Sequence, residues 1–128
     1  MNNTVEGSVT APSGEQYQIS HGTQTAVITE VGAGLRQYTV AGRDVLDGYG
    51  AGEMCTDARG QTLIPWPNRI RAGRYTSHGS ALQLDLTEPD KGGAIHGLTR
   101  WAPWLPAGRQ QKQAPSRHVL HARPGWPF

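Results

Sequence analysis

Asn68, Arg69 and His96 are the residues of this sequence best suited to chemistry. The first two stand in GQTLIPWPNRIRAGRY (60–75), the third in AIHGLTRWAPW (94–104). Arginine carries a permanent charge on a planar fork of donors, which matches sugar hydroxyls or a carboxylate. Asparagine both donates and accepts, and histidine can donate, accept or move a proton near neutral pH. Trp66 beside them offers an apolar face of the kind that covers the C–H side of a sugar ring. Together these side chains suit a polyhydroxylated ligand. Each alone also has a plainer reading, Arg69 as half of a surface salt bridge and His96 as a structural hydrogen-bonder. Arg71 and Arg74 would suit a phosphate, or face solvent on the other side of a strand.

The elements that must position these residues read as short strands. Tyr17 and Ile19 alternate with Gln16, Gln18 and Ser20, and Ala26 and Ile28 alternate with Thr25, Val27 and Thr29. Residues 35–40 form two faces of another run, and Leu82, Leu84 and Leu86 fall on one face of HGSALQLDL. Gly22, Gly32, Gly34 and Ala41-Gly42-Arg43-Asp44 punctuate them. Alternating runs between turn signals at about ten-residue spacing predict antiparallel strands. No long amphipathic period is present, so the fold class is all-β and sandwich-like. The glycine-rich stretch 47–62 lacks the phosphate-loop pattern and no helix follows it, so it reads as a flexible loop.

At 128 residues the chain is sized for one domain, and its net charge of +2 argues against disorder despite only 36% apolar residues. The charge is uneven. Residues 1–104 hold 8 basic and 10 acidic residues, whereas 105–128 hold Arg109, Lys112, Arg117 and Arg123 and no acid. That tail is too sparse in charge and aromatic residues for a nucleic-acid interface, so no nucleic-acid partner is expected. One cysteine, Cys55, excludes a disulfide framework and a paired-cysteine metal site. His118 and His121 could meet on a metal only if helical, and lack a third ligand, so no metal is expected. Without a signal-peptide pattern or an apolar run of spanning length, the expected location is the cytoplasm, with no membrane partner.

The order of the blocks MCTDARGQTLIPWPNRIRAGRYT, LQLDLTE and AIHGLTRWAPW resembles the aldose 1-epimerase (mutarotase) family, in the form common among actinobacteria. The resemblance covers residues 15–104, weakens through 105–116 and returns at PGWPF. It implies an antiparallel β-sandwich of the galactose mutarotase-like kind, with only its N-terminal part in this chain. Residues 1–14 would be a flexible arm, 15–104 the sandwich part, and 105–128 an irregular basic tail, cut short. The family interconverts the α and β anomers of a free hexose by acid–base ring opening, with no metal or redox cofactor. The resemblance assigns Arg69 and His96 to sugar contact, His96 to catalysis, and Asn68 to ordering the loop or touching substrate. The family's second histidine, downstream aspartate and glutamate base have no matching positions here. Glu88, His118 and His121 lie in no matching motif. The expectation is thus a truncated homologue, inactive alone, that takes a glucose- or galactose-like sugar. A non-catalytic carbohydrate-binding module, or a fragment that docks on a complementing chain, is the alternative. With half the strands missing, Leu82, Leu84, Leu86, Trp101 and Trp104 would be left uncovered.

Overall fold

The structure is a computed structural model that describes residues 10–108 and 112–128. Residues 1–9 of the expected arm, and Arg109 of the expected basic tail, lie outside the described residues. The described chain is all-β. Its first half is a four-stranded antiparallel meander of β1 (Gln16–His21), β2 (Gln24–Thr29), β3 (Leu35–Val40) and β4 (Arg43–Asp44), in that spatial order. Three two-stranded antiparallel ladders follow. β5 (Arg69–Arg71) pairs with β8 (Gly93–Ile95), and β6 (Arg74–Ser77) with β7 (Ser80–Gln83). β9 (Leu105–Pro106) pairs with β10 (Ser116–Arg117), inside the segment expected as an irregular tail.

Turn chemistry explains much of this order. β3 and β4 are joined by Ala41-Gly42 and β6 and β7 by His78-Gly79, with φ positive at both residues of each pair. Two consecutive positive φ values make the tight hairpin turn whose twist matches that of the flanking strands, and glycine adopts the second without steric cost.

The buried apolar side chains are few: Val27, Tyr49, Cys55, Leu84, Ala94 and Ile95. On β2 the deeper face is Val27 and Thr29, not the Ala26 and Ile28 face that polarity alone favours. Thr29 is 1% exposed, and its hydroxyl is satisfied locally. Oγ1 donates to the Val31 carbonyl at 2.8 Å and accepts from the Gly34 amide at 3.1 Å. A buried hydroxyl so paired no longer carries the penalty of an unmade hydrogen bond. The 47–62 stretch is anchored rather than loose. Tyr49 and Cys55 are buried, Arg59 pairs with Asp47 at 3.1 Å, and the Gly60 carbonyl accepts from the Leu35 amide.

The leucine run also divides. Strand β7 stops at Gln83, whose Nε2 donates to the Ala72 and Leu84 carbonyls. Past that point Leu84 is buried while Leu86 and Trp101 are about half exposed. The expected uncovered apolar surface is therefore real at Leu86 and Trp101 and absent at Leu84. Trp104 is half-buried, its indole nitrogen donating to the Thr99 carbonyl at 3.2 Å.

Candidate functional site

The β5–β8 ladder brings the three expected site residues together across 28 positions of sequence. Its last pair is Arg69 opposite Ile95. One step beyond, Asn68 and His96 close the ladder with reciprocal bonds. The His96 amide donates to the Asn68 carbonyl at 2.9 Å, and the Asn68 amide donates to His96 Nδ1 at 2.9 Å. Both residues have positive φ, 62° and 60°. Asparagine and histidine are among the side chains that tolerate this region, which costs other residues about 1–2 kcal/mol. Such outliers concentrate at functional sites, where the surrounding structure enforces them. The Asn68 side chain supports its own turn, Oδ1 accepting from the Arg69 amide at 3.0 Å.

This arrangement sets the protonation of His96. A backbone N–H can only donate, so Nδ1 must be the acceptor and the neutral ring carries its proton on Nε2. Burial pushes the imidazole below its ordinary pKa, and the charges of Arg100 and Arg69 push the same way; Glu88 partly offsets them. Near neutral pH, His96 is therefore an uncharged ring with an Nε2–H to donate.

Gly97 makes the tight approach of this turn possible. Its φ is +73°, and a Cβ added there would collide with the carbonyl of Ile64. With no side chain in the way, the Leu98 amide donates to the Ile64 carbonyl at 2.7 Å, and the buried Thr99 hydroxyl donates to the Thr62 and Ile64 carbonyls. The two blocks of the sequence are thus bonded side by side.

Arg69 is half of a surface salt bridge, its plainer reading, with a partner that sequence reasoning did not name. Its Nε donates to Glu88 Oε1 at 2.5 Å and its Nη2 to Oε2 at 3.2 Å. The carboxylate raises the guanidinium's pKa and is itself held below the usual carboxylate range. Opposite charges nineteen residues apart give no local signal. The pairing follows from a bridge between Glu88 and Gly93, the residue that opens β8.

Trp66, expected as a sugar platform, makes a ring contact within the protein. It packs against Trp126, centroids 6.1 Å apart, and Trp126 in turn meets Tyr75 and Phe128. The Tyr75 hydroxyl donates to the Gly125 carbonyl at 2.6 Å, tying the C-terminal segment to β6. His118 lies against Trp104 and the Pro103 carbonyl. Among the described residues no group of three or more His, Cys, Asp or Glu could hold a metal ion, and no helix is long and apolar enough to cross a membrane.

The fold is all-antiparallel, and the end of its β5–β8 ladder displays Asn68, Arg69 and a neutral His96 together. The sequence model of the aldose 1-epimerase family matches residues 15–128, and the chain belongs to that family. It is 39% identical over 92 residues to YihR, an uncharacterised protein of Escherichia coli (strain K12), covering 72% of this chain and 30% of that one. In three dimensions it is similar to a putative aldose 1-epimerase from Escherichia coli K12, with a TM-score of 0.65 at 18% identity over 76% of this chain and 33% of that one. A galactose mutarotase-like protein from Clostridium acetobutylicum gives a TM-score of 0.62 at 20% identity, over 77% and 32% of the two chains. Galactose 1-epimerase from Lactobacillus acidophilus gives 0.58 at 20%, over 73% and 30%. These structures share the galactose mutarotase-like fold with the chain, which spans about a third of their length.

Proposed function

We propose that the shelf of Asn68, Arg69 and His96 is one wall of a hexose-binding cleft that serves anomer interconversion. The observation that carries this reading is the fixed tautomer of His96, which aims an Nε2–H donor from an uncharged ring beside a guanidinium. In the proposed reaction a base takes the proton of the C1 hydroxyl while an acid delivers one to the ring oxygen. The C1–O5 bond breaks to give the open aldehyde, C1 turns about its bond to C2, and closure on the other face gives the second anomer. His96 serves as donor at the ring oxygen or an adjacent hydroxyl, and Arg69 holds the hydroxyls.

The base is not assigned to this shelf. Glu88 is the carboxylate that meets it, and its two oxygens are taken by Arg69, which lowers its basicity. An effective general base has a pKa near the working pH. Since the chain spans 33% of the Escherichia coli structure, turnover is assigned to the complete family fold, and this chain by itself binds sugar without speeding mutarotation.

Calorimetric titration of the folded chain with glucose and galactose, alongside polarimetry, tests both statements. Binding should weaken about tenfold or more in His96→Ala and Arg69→Ala, the loss expected for a charge-assisted or well-placed hydrogen bond. A flat titration on a folded sample would overturn the sugar reading. Mutarotation above the buffer rate that is abolished by His96→Ala would overturn the assignment of turnover to the complete fold.

A further inference from the structure

We propose that Glu88 is the positioning residue of this shelf, clamping Arg69 so that it reads the oxygens of an uncharged sugar and not an anionic group. The inference rests on the sugar reading of the site. Three observations carry it.

The first is the geometry of the clamp. Glu88 engages Nε and Nη2, one edge of the guanidinium. No other side-chain hydrogen bond of Arg69 occurs among the described residues, so Nη1 and the second Nη2 hydrogen stay available. Of five donors, the clamp takes two and orients the rest as a fixed fork. An unclamped arginine would lose rotamer freedom on binding, a cost that pre-organisation removes.

The second is that the clamp is built from the backbone. The Glu88 amide donates to the Gly93 carbonyl at 3.0 Å and the Gly93 amide returns to the Glu88 carbonyl at 3.2 Å. Gly93 pairs with Arg71 on the strand that carries Arg69. A 3₁₀ turn, Pro89–Lys91, begins immediately after Glu88. Thr87 accepts from the Ile95 amide through its hydroxyl at 2.8 Å. Glu88 is thereby held on the same ladder as its partner. Its side chain is 22% exposed, against 47% for Arg69, which leaves the arginine as the outward member.

The third is charge. The pair is neutral as a unit, and Asp90 and Lys91 beside it are of opposite sign. Arg100, whose charge reaches His96, lies over the face of Trp101, 5.1 Å from the ring centroid, so of these two arginines the carboxylate compensation is particular to Arg69 among the described residues. An anionic sugar would thus meet a compensated guanidinium, whereas neutral hydroxyls lose nothing by the compensation.

The test uses the intact chain, with Glu88→Gln and Glu88→Asp. Galactose and galactose 6-phosphate are the probes, followed by NMR together with the exchange rate of the Arg69 Nε–H. In Glu88→Gln the ratio of phosphate-ester to free-sugar affinity should rise about threefold or more, the scale of one exposed charge pair. The Arg69 Nε–H should exchange faster, and Glu88→Asp should restore the wild-type ratio. An unchanged ratio and exchange rate in a Glu88→Gln variant with wild-type tryptophan fluorescence would overturn the inference while leaving the sugar reading intact. If the wild-type chain takes neither probe, the sugar reading fails, and with it the proposed discrimination.

Discussion

Replacing Gly97 by alanine probes how closely the His96 turn lies on the proline–tryptophan segment. The new Cβ would collide with the carbonyl oxygen and carbon of Ile64 and lie 3.0 Å from its nitrogen. All three are backbone atoms, so no side chain can swing away. At φ +73° a Cβ alone costs about 1–2 kcal/mol. Forcing the segments apart also removes the Leu98-to-Ile64 hydrogen bond of 2.7 Å, worth about 1 kcal/mol. The expected loss is about 2–3 kcal/mol, a large share of the roughly 5–15 kcal/mol that stabilises an ordinary domain. Urea denaturation followed by tryptophan fluorescence should show the midpoint falling by about 1 M or more. Gly22→Ala is the control. Its φ is +59° but nothing lies within 4 Å of the added carbon, so only the smaller conformational cost applies. The His96 NMR signals should shift in Gly97→Ala and stay in place in Gly22→Ala. If the two variants lose equal stability, or Gly97→Ala stays within about 0.5 kcal/mol of wild type, the contact argument is refuted.

Two further outcomes follow from titratable groups. His96 should titrate below its ordinary value of 6.5, because burial and the charges of Arg100 and Arg69 disfavour the imidazolium. The unfolded chain then binds more protons than the folded one in that range, so the contribution of His96 to stability is complete above about pH 6.5 and is lost as pH falls through the folded midpoint. Sugar binding should decline over the same interval, and an NMR midpoint at or above 6.5 would contradict the geometry. Tyr49 is pushed up to about 12, first by burial and then by the hydrogen bond and charge of Cys55. Of four tyrosines, one should ionise well after the ordinary value of 10.0 in an ultraviolet absorbance titration. Its share of stability is present at lower pH and is lost as pH rises above 10.0, where the unfolded chain releases the proton first. Four tyrosines titrating together would refute its burial.

Period-two alternation and turn residues made the strand class legible. The runs at 16–20, 25–29 and 35–40 became β1, β2 and β3 with nearly those bounds, because an alternating pattern and a glycine turn act over only a few residues. Depth was less legible. Alternation says that two faces differ, not which one is covered, and Thr29 is buried because Val31 and Gly34 happen to offer its hydroxyl a carbonyl and an amide. Leu84 and Leu86 look alike in sequence and part company where β7 ends.

For the site, the types of Asn68, Arg69 and His96 suggested a polyhydroxylated ligand, and the order of their two blocks carried the family resemblance. Those are properties of side-chain chemistry, which a sequence displays directly. Tertiary structure decided everything that depends on which segments lie together. It placed the Asn68 amide on Nδ1, which selects the His96 tautomer. It brought Glu88 to Arg69 through the bridge to Gly93, and it packed Trp66 on Trp126. Hydrogen bonds and ring contacts act over a few ångströms in space whatever their separation along the chain, so only the folded ladder could supply the partners.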